Sequence, residues 1–267
     1  MVDISVIIPC YNAGVYISEA VESVRSYRGN YKYEIIITND GSTDITTMNE
    51  LERLGSEGCK IINQVNKGPA AARNTSVKFS SGEFLLLLDS DNTIDPDYIN
   101  VGVDKLKNNP DVGVVYSDAR FFGENTHVRF KTKSLDKYGL LLENYIDSCA
   151  VLRKKVWTDL NGFDEERVLF GLEDWEFWVR VTATSWKFLY VNKQLFNYRI
   201  RENSLINRFK DEDNLDKALA YSYKKNYEIL FEGYKELYQF YNSYQYDTQH
   251  PLRSFFKFVY KKYLRKK

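Results

Sequence analysis

One stretch limits what this chain can fold into more than any other: Phe84-Leu85-Leu86-Leu87-Leu88, followed at once by Asp89-Ser90-Asp91-Asn92. A continuous apolar run ended by turn residues reads as a strand buried on both faces, and such strands belong to parallel sheets covered by helices. The acids that follow then lie at the carboxyl edge of the sheet, where open α/β proteins bind ligands. Two carboxylates one residue apart suit a hard divalent cation that keeps waters and bridges to substrate phosphates. The same residues also favour turns, so a strand ending in solvated loop is the competing reading of this segment alone.

The flanking sequence repeats the pattern. Ile4-Ser5-Val6-Ile7-Ile8-Pro9 reads as a buried strand stopped by proline, Glu34-Ile35-Ile36-Ile37-Thr38 as a second and Cys59-Lys60-Ile61-Ile62 as a short third. Between them, Ile17, Ala20, Val21 and Val24 recur at helical spacing, and Ser42 or Asp44 can cap the next helix. A further helix begins after Asn66-Lys67-Gly68-Pro69, another at Asp95-Pro96, and Val112 to Tyr116 is again strand. This alternation predicts a doubly wound, mixed but mostly parallel sheet.

Beyond about residue 118 the rhythm weakens. Short strands are expected at Arg120–Phe122, His127–Phe130, Cys149–Leu152, Phe188–Val191 and Leu195–Ile200, and a helix over Leu135–Leu142. Glu173-Asp174 opens a helix on which Trp175, Trp178, Val179 and Thr182 share a face. From about Ser204 the sequence is helical, tyrosine-rich and charged.

Several function classes drop out. With 37 basic and 37 acidic residues the chain carries no net charge, so nothing global points to nucleic acid. Three cysteines and two histidines form no metal-ligand spacing, which predicts neither a disulfide framework nor a zinc site and suits a reducing cytosol. No apolar run reaches membrane-spanning length. Neither G-x-G-x-x-G after the first strand nor G-x-x-x-x-G-K-[ST] occurs, which removes the main support for dinucleotide and P-loop enzymes. A diphosphate site neutralised by a cation, with Arg73 as a helper, remains, although Arg73 alone reads first as a solvated helix charge.

Five motifs in order carry a specific resemblance: Ser5-Val6-Ile7-Ile8-Pro9-Cys10-Tyr11-Asn12, Asn39-Asp40-Gly41-Ser42-Thr43-Asp44, Lys67-Gly68-Pro69-Ala70-Ala71-Ala72-Arg73-Asn74, Asp89-Ser90-Asp91, and Gly171-Leu172-Glu173-Asp174-Trp175-Glu176-Phe177-Trp178. Over residues 3 to 204 the chain resembles inverting family 2 glycosyltransferases of the GT-A fold. The resemblance implies transfer of a sugar from a nucleotide-sugar, a UDP-sugar first of all, to an acceptor hydroxyl in polysaccharide, lipopolysaccharide or other glycan assembly. It implies a domain over 1–204, with 1–117 serving the donor and 118–204 the acceptor, and a helical C-terminal extension over 205–267.

Carried over residue by residue, the resemblance puts Asp40 on the nucleotide base, with Pro9, Tyr11 and Asn12 around it and Arg73 and Ser90 near the base or diphosphate. Asp91 becomes the principal ligand of Mn2+ or Mg2+, with Asp89 toward the ribose or a metal-bound water. Asp174 becomes the catalytic base, oriented by Glu173, while Asp147 and Trp175 face sugar or acceptor. At a helix start, the dipole favours the ionised form of Asp174.

Two departures from the family pattern matter. Asn39 replaces the commoner acid, and Arg201 stands where many relatives carry a histidine that completes the metal shell. Arginine cannot ligate a cation but can pair with diphosphate oxygens, so Arg201 is expected to share in leaving-group stabilisation and to weaken metal dependence.

The tail from Pro251 to Lys267 interleaves Phe255, Phe256, Phe258, Tyr260 and Tyr263 with seven basic residues and no acid. It predicts contact with an anionic membrane surface, at the inner face of the cell membrane, or with a second copy of the chain. The acceptor would then be a saccharide, with a lipid-linked one suiting such a location. Two alternatives stand beside the transferase. A phosphohydrolase of the haloacid dehalogenase type would use Asp89 as nucleophile and Asp91 as acid/base, and a catalytically silent subunit would only bind a nucleotide-sugar.

Overall fold

The computed structural model describes residues 1–124, 130–201, 211–260 and 262, and the chain forms two compact units, Met1–Lys225 and Asn226–Lys267. In the first, strand and helix alternate: β1 (Ile4–Cys10), α1 (Tyr16–Arg25), β2 (Tyr33–Asp40), α2 (Ile45–Ser56), β3 (Lys60–Gln64), α3 (Pro69–Lys78), β4 (Phe84–Leu87), β5 (Thr93–Ile94), α4 (Asp97–Asn108) and β6 (Val112–Gly123). There follow α5 (Lys137–Leu142), β7 (Val151–Arg153), α6 (Lys154–Asp159), a single 3-10 turn (Arg167–Leu169), α7 (Glu173–Thr182), β8 (Lys187–Ile200) and α8 (Glu212–Lys225).

The strands form an 8-stranded sheet in the order β3-β2-β1-β4-β7-β6-β8-β5. Pairings among β3, β2, β1 and β4, and that of β6 with β8, are parallel; β7 runs antiparallel to both its neighbours, and β5 antiparallel to β8. The apolar run is the middle of this sheet, and Phe84 to Leu88 are all within 1% of complete burial. Each such side chain contributes about 1.5–3 kcal/mol. Helices cover both faces. Ile4, Val6 and Ile8 point into a core shared with Ile17, Val21 and Val24 of α1 and Ile99, Val103 and Leu106 of α4. On the other face α3 lies against β1 and β2, its Ala70, Ala71 and Ala72 allowing close approach, and Thr38 and Ser76 share a buried hydroxyl contact of 2.6 Å.

The second half is more regular than its sequence suggests. The expected strands at Val112–Tyr116 and Arg120–Phe122 are one strand, β6, and those at Phe188–Val191 and Leu195–Ile200 are one strand, β8. Register shifts around Ser117 to Ala119 absorb the polar break at Asn192-Lys193 without ending the pairing. The strand expected over His127–Phe130 falls mainly on residues outside the described set; Phe130 itself lies in no strand. Asp44 caps α2 by accepting from Thr47 N at 2.8 Å, and α5 starts at Lys137, capped by Asp136.

The compact first unit runs past 204 and takes in α8, because Lys225 pairs with Asp164 and Tyr221 Oη donates to the same carboxylate at 2.9 Å. The second unit holds α9 (Tyr227–Gln249) and α10 (Pro251–Val259). Among the described residues no helix is long and apolar enough to cross a membrane.

Candidate active site

A cleft of about 710 Å³ opens at the carboxyl ends of β1, β2 and β4. It is lined by Pro9, Tyr11, Asn12, Asp40, Arg73, Asp89, Ser90, Asp91, Asp147, Glu173, Asp174 and Arg201, so all but one of the residues to which the sequence gives a site role meet there. The exception is Trp175. Its ring is buried and its indole N–H donates to Leu140 O at 2.6 Å, which makes it a support beneath the cleft.

The wall from the first two strands is built from loops that clamp one another. Asn12, held at a φ of 46°, accepts from Thr43 N at 2.8 Å and Asp44 N at 3.2 Å, while its own N–H donates to Ser42 Oγ. Asp40 is 3% exposed and accepts three hydrogen bonds, from Gln64 Nε2, Lys67 N and Gly68 N, at 2.7–2.8 Å. Asn39 is tied to Asn63 and to Ser42 N. Asp40 and Asn12 thus shape the loops that border the cleft, and Tyr11, 52% exposed, presents an open aromatic edge.

Gly68 marks the seam with the second wall. It sits at a φ of 93°, and a Cβ there would lie 2.0 Å from the ring of Phe170, a cleft residue just before α7. Only glycine meets both demands.

Arg73 is not a solvated charge. It is 3% exposed; Nη1 donates to Glu173 Oε1 and Nη2 to Asp89 Oδ1, both at 2.6 Å, and its Nε has no hydrogen-bond partner among the described residues. The alanine-rich face of α3 brings it under the sheet edge, where burial removes water and two carboxylates replace it. Ser148 Oγ lies between, 3.4 Å from Nη2 and donating to Asp89 Oδ2 at 3.3 Å. The described hydrogen bonds of Glu173 go to Arg73 and, through its second oxygen, to Gly171 N at 2.7 Å, with none to Asp174. Asp174 is instead held by Trp175 N at 2.6 Å and Asn144 Nδ2 at 3.2 Å.

The acids crowd one another. Burial, then Glu173 and Asp147, push the Asp174 carboxyl well above its ordinary value against the pull of Arg73 and Trp175 N. Burial and Asp89 raise Asp147 to about 7, although Cys149 N donates to it at 2.8 Å. Burial and Asp89 also raise Asp91, while Arg201 opposes them. Arg201 Nη1 lies 3.0 Å from Asp91 Oδ2.

The loop after Asp91 is fixed by β8. Asn92 Oδ1 accepts from Arg199 N at 2.8 Å, Arg199 Nε donates to Asp91 O at 2.8 Å, and Thr93 pairs with Asn197. Asn144, Tyr145, Phe170, Tyr198 and Arg199 also line the cleft, outside the residues to which the sequence points. Only Arg199, beside Arg201 in Tyr198-Arg199-Ile200-Arg201, carried a signal that could have been followed.

The family model described as glycosyl transferase family 2 matches residues 5–160, and one described as the N-terminal domain of galactosyltransferase matches 132–202. The poly-beta-1,6-N-acetyl-D-glucosamine synthase of Staphylococcus epidermidis is 30% identical over 74% of this chain and 47% of its own length. The structure of S. aureus TarS 1-349 in complex with UDP-GlcNAc superposes with a TM-score of 0.66 at 21% identity, over 77% of this chain and 60% of that one. Mannosyltransferase PcManGT from Pyrobaculum calidifontis, in complex with GDP-Man and Mn2+, gives 0.63 at 17% identity, over 83% and 64%. The chain therefore spans about half to two thirds of the length of these proteins.

Proposed function

Because the chain belongs to glycosyl transferase family 2 and carries its GT-A fold, we propose that it moves a hexosyl or N-acetylhexosaminyl group from a UDP-sugar to an acceptor hydroxyl, with inversion at the anomeric carbon. The observation that supports this reading most is convergence. The loops clamped by Asp40 and Asn12, the Asp89/Asp91 pair and the acids at the start of α7 all border one cleft. UDP as the nucleotide is favoured by the TarS complex with UDP-GlcNAc, and an N-acetylhexosamine as the sugar by the polymer named for the Staphylococcus epidermidis relative.

In this reading Asp174 takes the proton of the acceptor hydroxyl. The oxygen bonds to the anomeric carbon as the bond to the diphosphate breaks, and that electron pair leaves on the diphosphate oxygen. A general base contributes about 10²–10⁴-fold. Asn144 and Trp175 N hold the carboxylate in place, and Arg73 favours its ionised form against its acidic neighbours.

A divalent cation fits the donor set. Among the described contacts Asp89 and Asp91 each keep an oxygen not bonded to arginine, and such cations bind through one or two carboxylates plus substrate phosphates. Asp91 and Asp89 would hold Mn2+ or Mg2+, which supplies Lewis-acid stabilisation of the leaving diphosphate. The haloacid dehalogenase alternative loses ground, since Asp89 follows the fourth strand and its Oδ1 is tied to Arg73.

Incubation with a panel of nucleotide-sugars, with and without manganese, tests the reading. Release of UDP from a UDP-sugar, faster with a saccharide acceptor, is expected. Phosphate release from generic esters without any UDP release would overturn it, and binding without turnover would leave the silent-subunit reading.

We further propose that α10 docks on an anionic lipid surface: Leu252, Phe255, Phe256 and Phe258 are exposed on it beside Arg253 and Lys257. Tyr263 and the residues after it lie outside the described set. Sedimentation with phosphatidylserine liposomes, compared with a form ending before Pro251, should show binding lost on truncation; dimerisation lost instead would assign the face to a second copy.

A further inference from the structure

Each acid of the Asp89-Ser90-Asp91 pair faces its own arginine, and the two arginines are held in different ways. Arg73 is buried and shared with Glu173. Arg201 leaves 26% of its side chain exposed, contacts Asp91 Oδ2 at 3.0 Å, and stacks over the ring of Tyr16 at 4.9 Å. Arg199 stacks over the same ring at 4.5 Å and over Phe122 at 4.3 Å, and pairs with Glu19. Arg201 therefore rests on an aromatic shelf at the rim of the cleft, and burial does not lock it there.

We propose that Arg201 is an internal counter-ion of Asp91 which a nucleoside diphosphate draws away, so that cation and nucleotide bind this chain cooperatively. The proposal rests on the donor-site reading above. A guanidinium and a divalent cation compete for one carboxylate. A charge-assisted hydrogen bond on Asp91 Oδ2 leaves that oxygen less available as a ligand. Diphosphate oxygens offer arginine a bidentate partner of higher charge than a single carboxylate oxygen. When the diphosphate enters, Arg201 turns to it from the exposed rim, and Asp91 regains both oxygens for the cation. Leaving-group charge is then divided between guanidinium and cation. Arg73 makes no such exchange, because Glu173 and the surrounding core hold it.

Linkage requires that each ligand raise the affinity for the other by the same factor, typically about 5–150-fold for coupled sites. Manganese(II) chloride titrated into the full chain, with free Mn2+ read by electron paramagnetic resonance, measures it with and without UDP. Wild type should bind Mn2+ about tenfold tighter or more when UDP is present. Arg201→Ala should bind Mn2+ about tenfold tighter than wild type without UDP and show a smaller gain on adding it. Arg201→His should bind Mn2+ tightest of the three without UDP. An affinity without UDP that is the same in Arg201→Ala as in wild type overturns the proposal, as does Mn2+ binding that survives Asp91→Asn. Calorimetric titration with UDP at saturating Mn2+ separates this from the donor reading: if UDP binds neither wild type nor Arg201→Ala there, that reading fails, whereas UDP binding with Mn2+ affinity indifferent to residue 201 sinks only the exchange.

Discussion

The two walls of the cleft are made differently. The wall from β1 and β2 is a set of backbone loops clamped by short side chains: Asp40 holds the loop of Lys67 and Gly68, and Asn12 holds Thr43 and Asp44. The wall from β4, β7 and α7 is a cluster of charges, in which Arg73 links Asp89 to Glu173 while Asp147 and Asp174 lie under mutual repulsion. Clamped loops fix a shape at little electrostatic cost. A crowded acid cluster stays assembled only while its arginine is in place, and it is where chemistry that moves protons is expected.

The comparison can be broken by substitution. The largest effect is expected in the charged wall: Asp174→Asn should lower kcat by about 10²–10⁴-fold with UDP affinity unchanged. Steady-state kinetics and calorimetry together check this, and near wild-type turnover would move the base elsewhere. Arg73→Met should cost about 3–5 kcal/mol of stability in urea unfolding, because Asp89 and Glu173 lose a buried partner. Arg201→Ala, at a partly exposed pair, should cost no more than about 1 kcal/mol. Equal costs would mean that burial does not distinguish the two arginines.

In the clamped wall, Gly68→Ala must both hold a left-handed backbone and displace Phe170, at about 1–3 kcal/mol. It should weaken UDP binding with a smaller loss in kcat, and a kcat loss alone would show that the loop serves the chemistry instead. The last test is a pH slope. Asp147, raised to about 7 by burial and Asp89, stays protonated in the folded chain while its unfolded counterpart ionises. The stability it contributes is full below the ordinary carboxylate range and is lost as pH rises toward 7. Asp147→Asn should therefore gain on wild type across that window and run parallel to it above pH 7, as followed by thermal unfolding at a series of pH values.

The position of the clamped wall was legible in the sequence, because its residues sit at strand ends and strand ends are marked by apolar runs, but the clamping of the Lys67–Gly68 loop by Asp40 and of the Thr43–Asp44 turn by Asn12 was not. Asp44 capping α2 follows from local spacing alone. The environment of Arg73 did not, since nothing near it in sequence reveals that Asp89 and Glu173 close over it from 16 and 100 residues away. Asn74 is a similar case. It reads as a motif residue, yet its amide bonds Phe163 N and O and accepts from Trp157 Nε1, fixing the turn that leads toward α7. The second-half strands read short in the sequence because a polar break looks like an end, and only pairing with a long neighbour shows it to be a bulge.

That long pairing also fixes which side chains the strand end presents to the cleft. Beyond the register shift, Phe121 faces Tyr198 and Phe122 faces Arg199, and this ribbon sets where Arg199 meets Asp91 O. Adding or removing one residue between the shift and Ile200 would exchange the faces of Tyr198 and Arg199, turning the arginine away from the cleft. A two-residue insertion in that ribbon should keep Arg199 on the cleft, whereas a one-residue insertion that no bulge takes up should lose it although every cleft residue is still present.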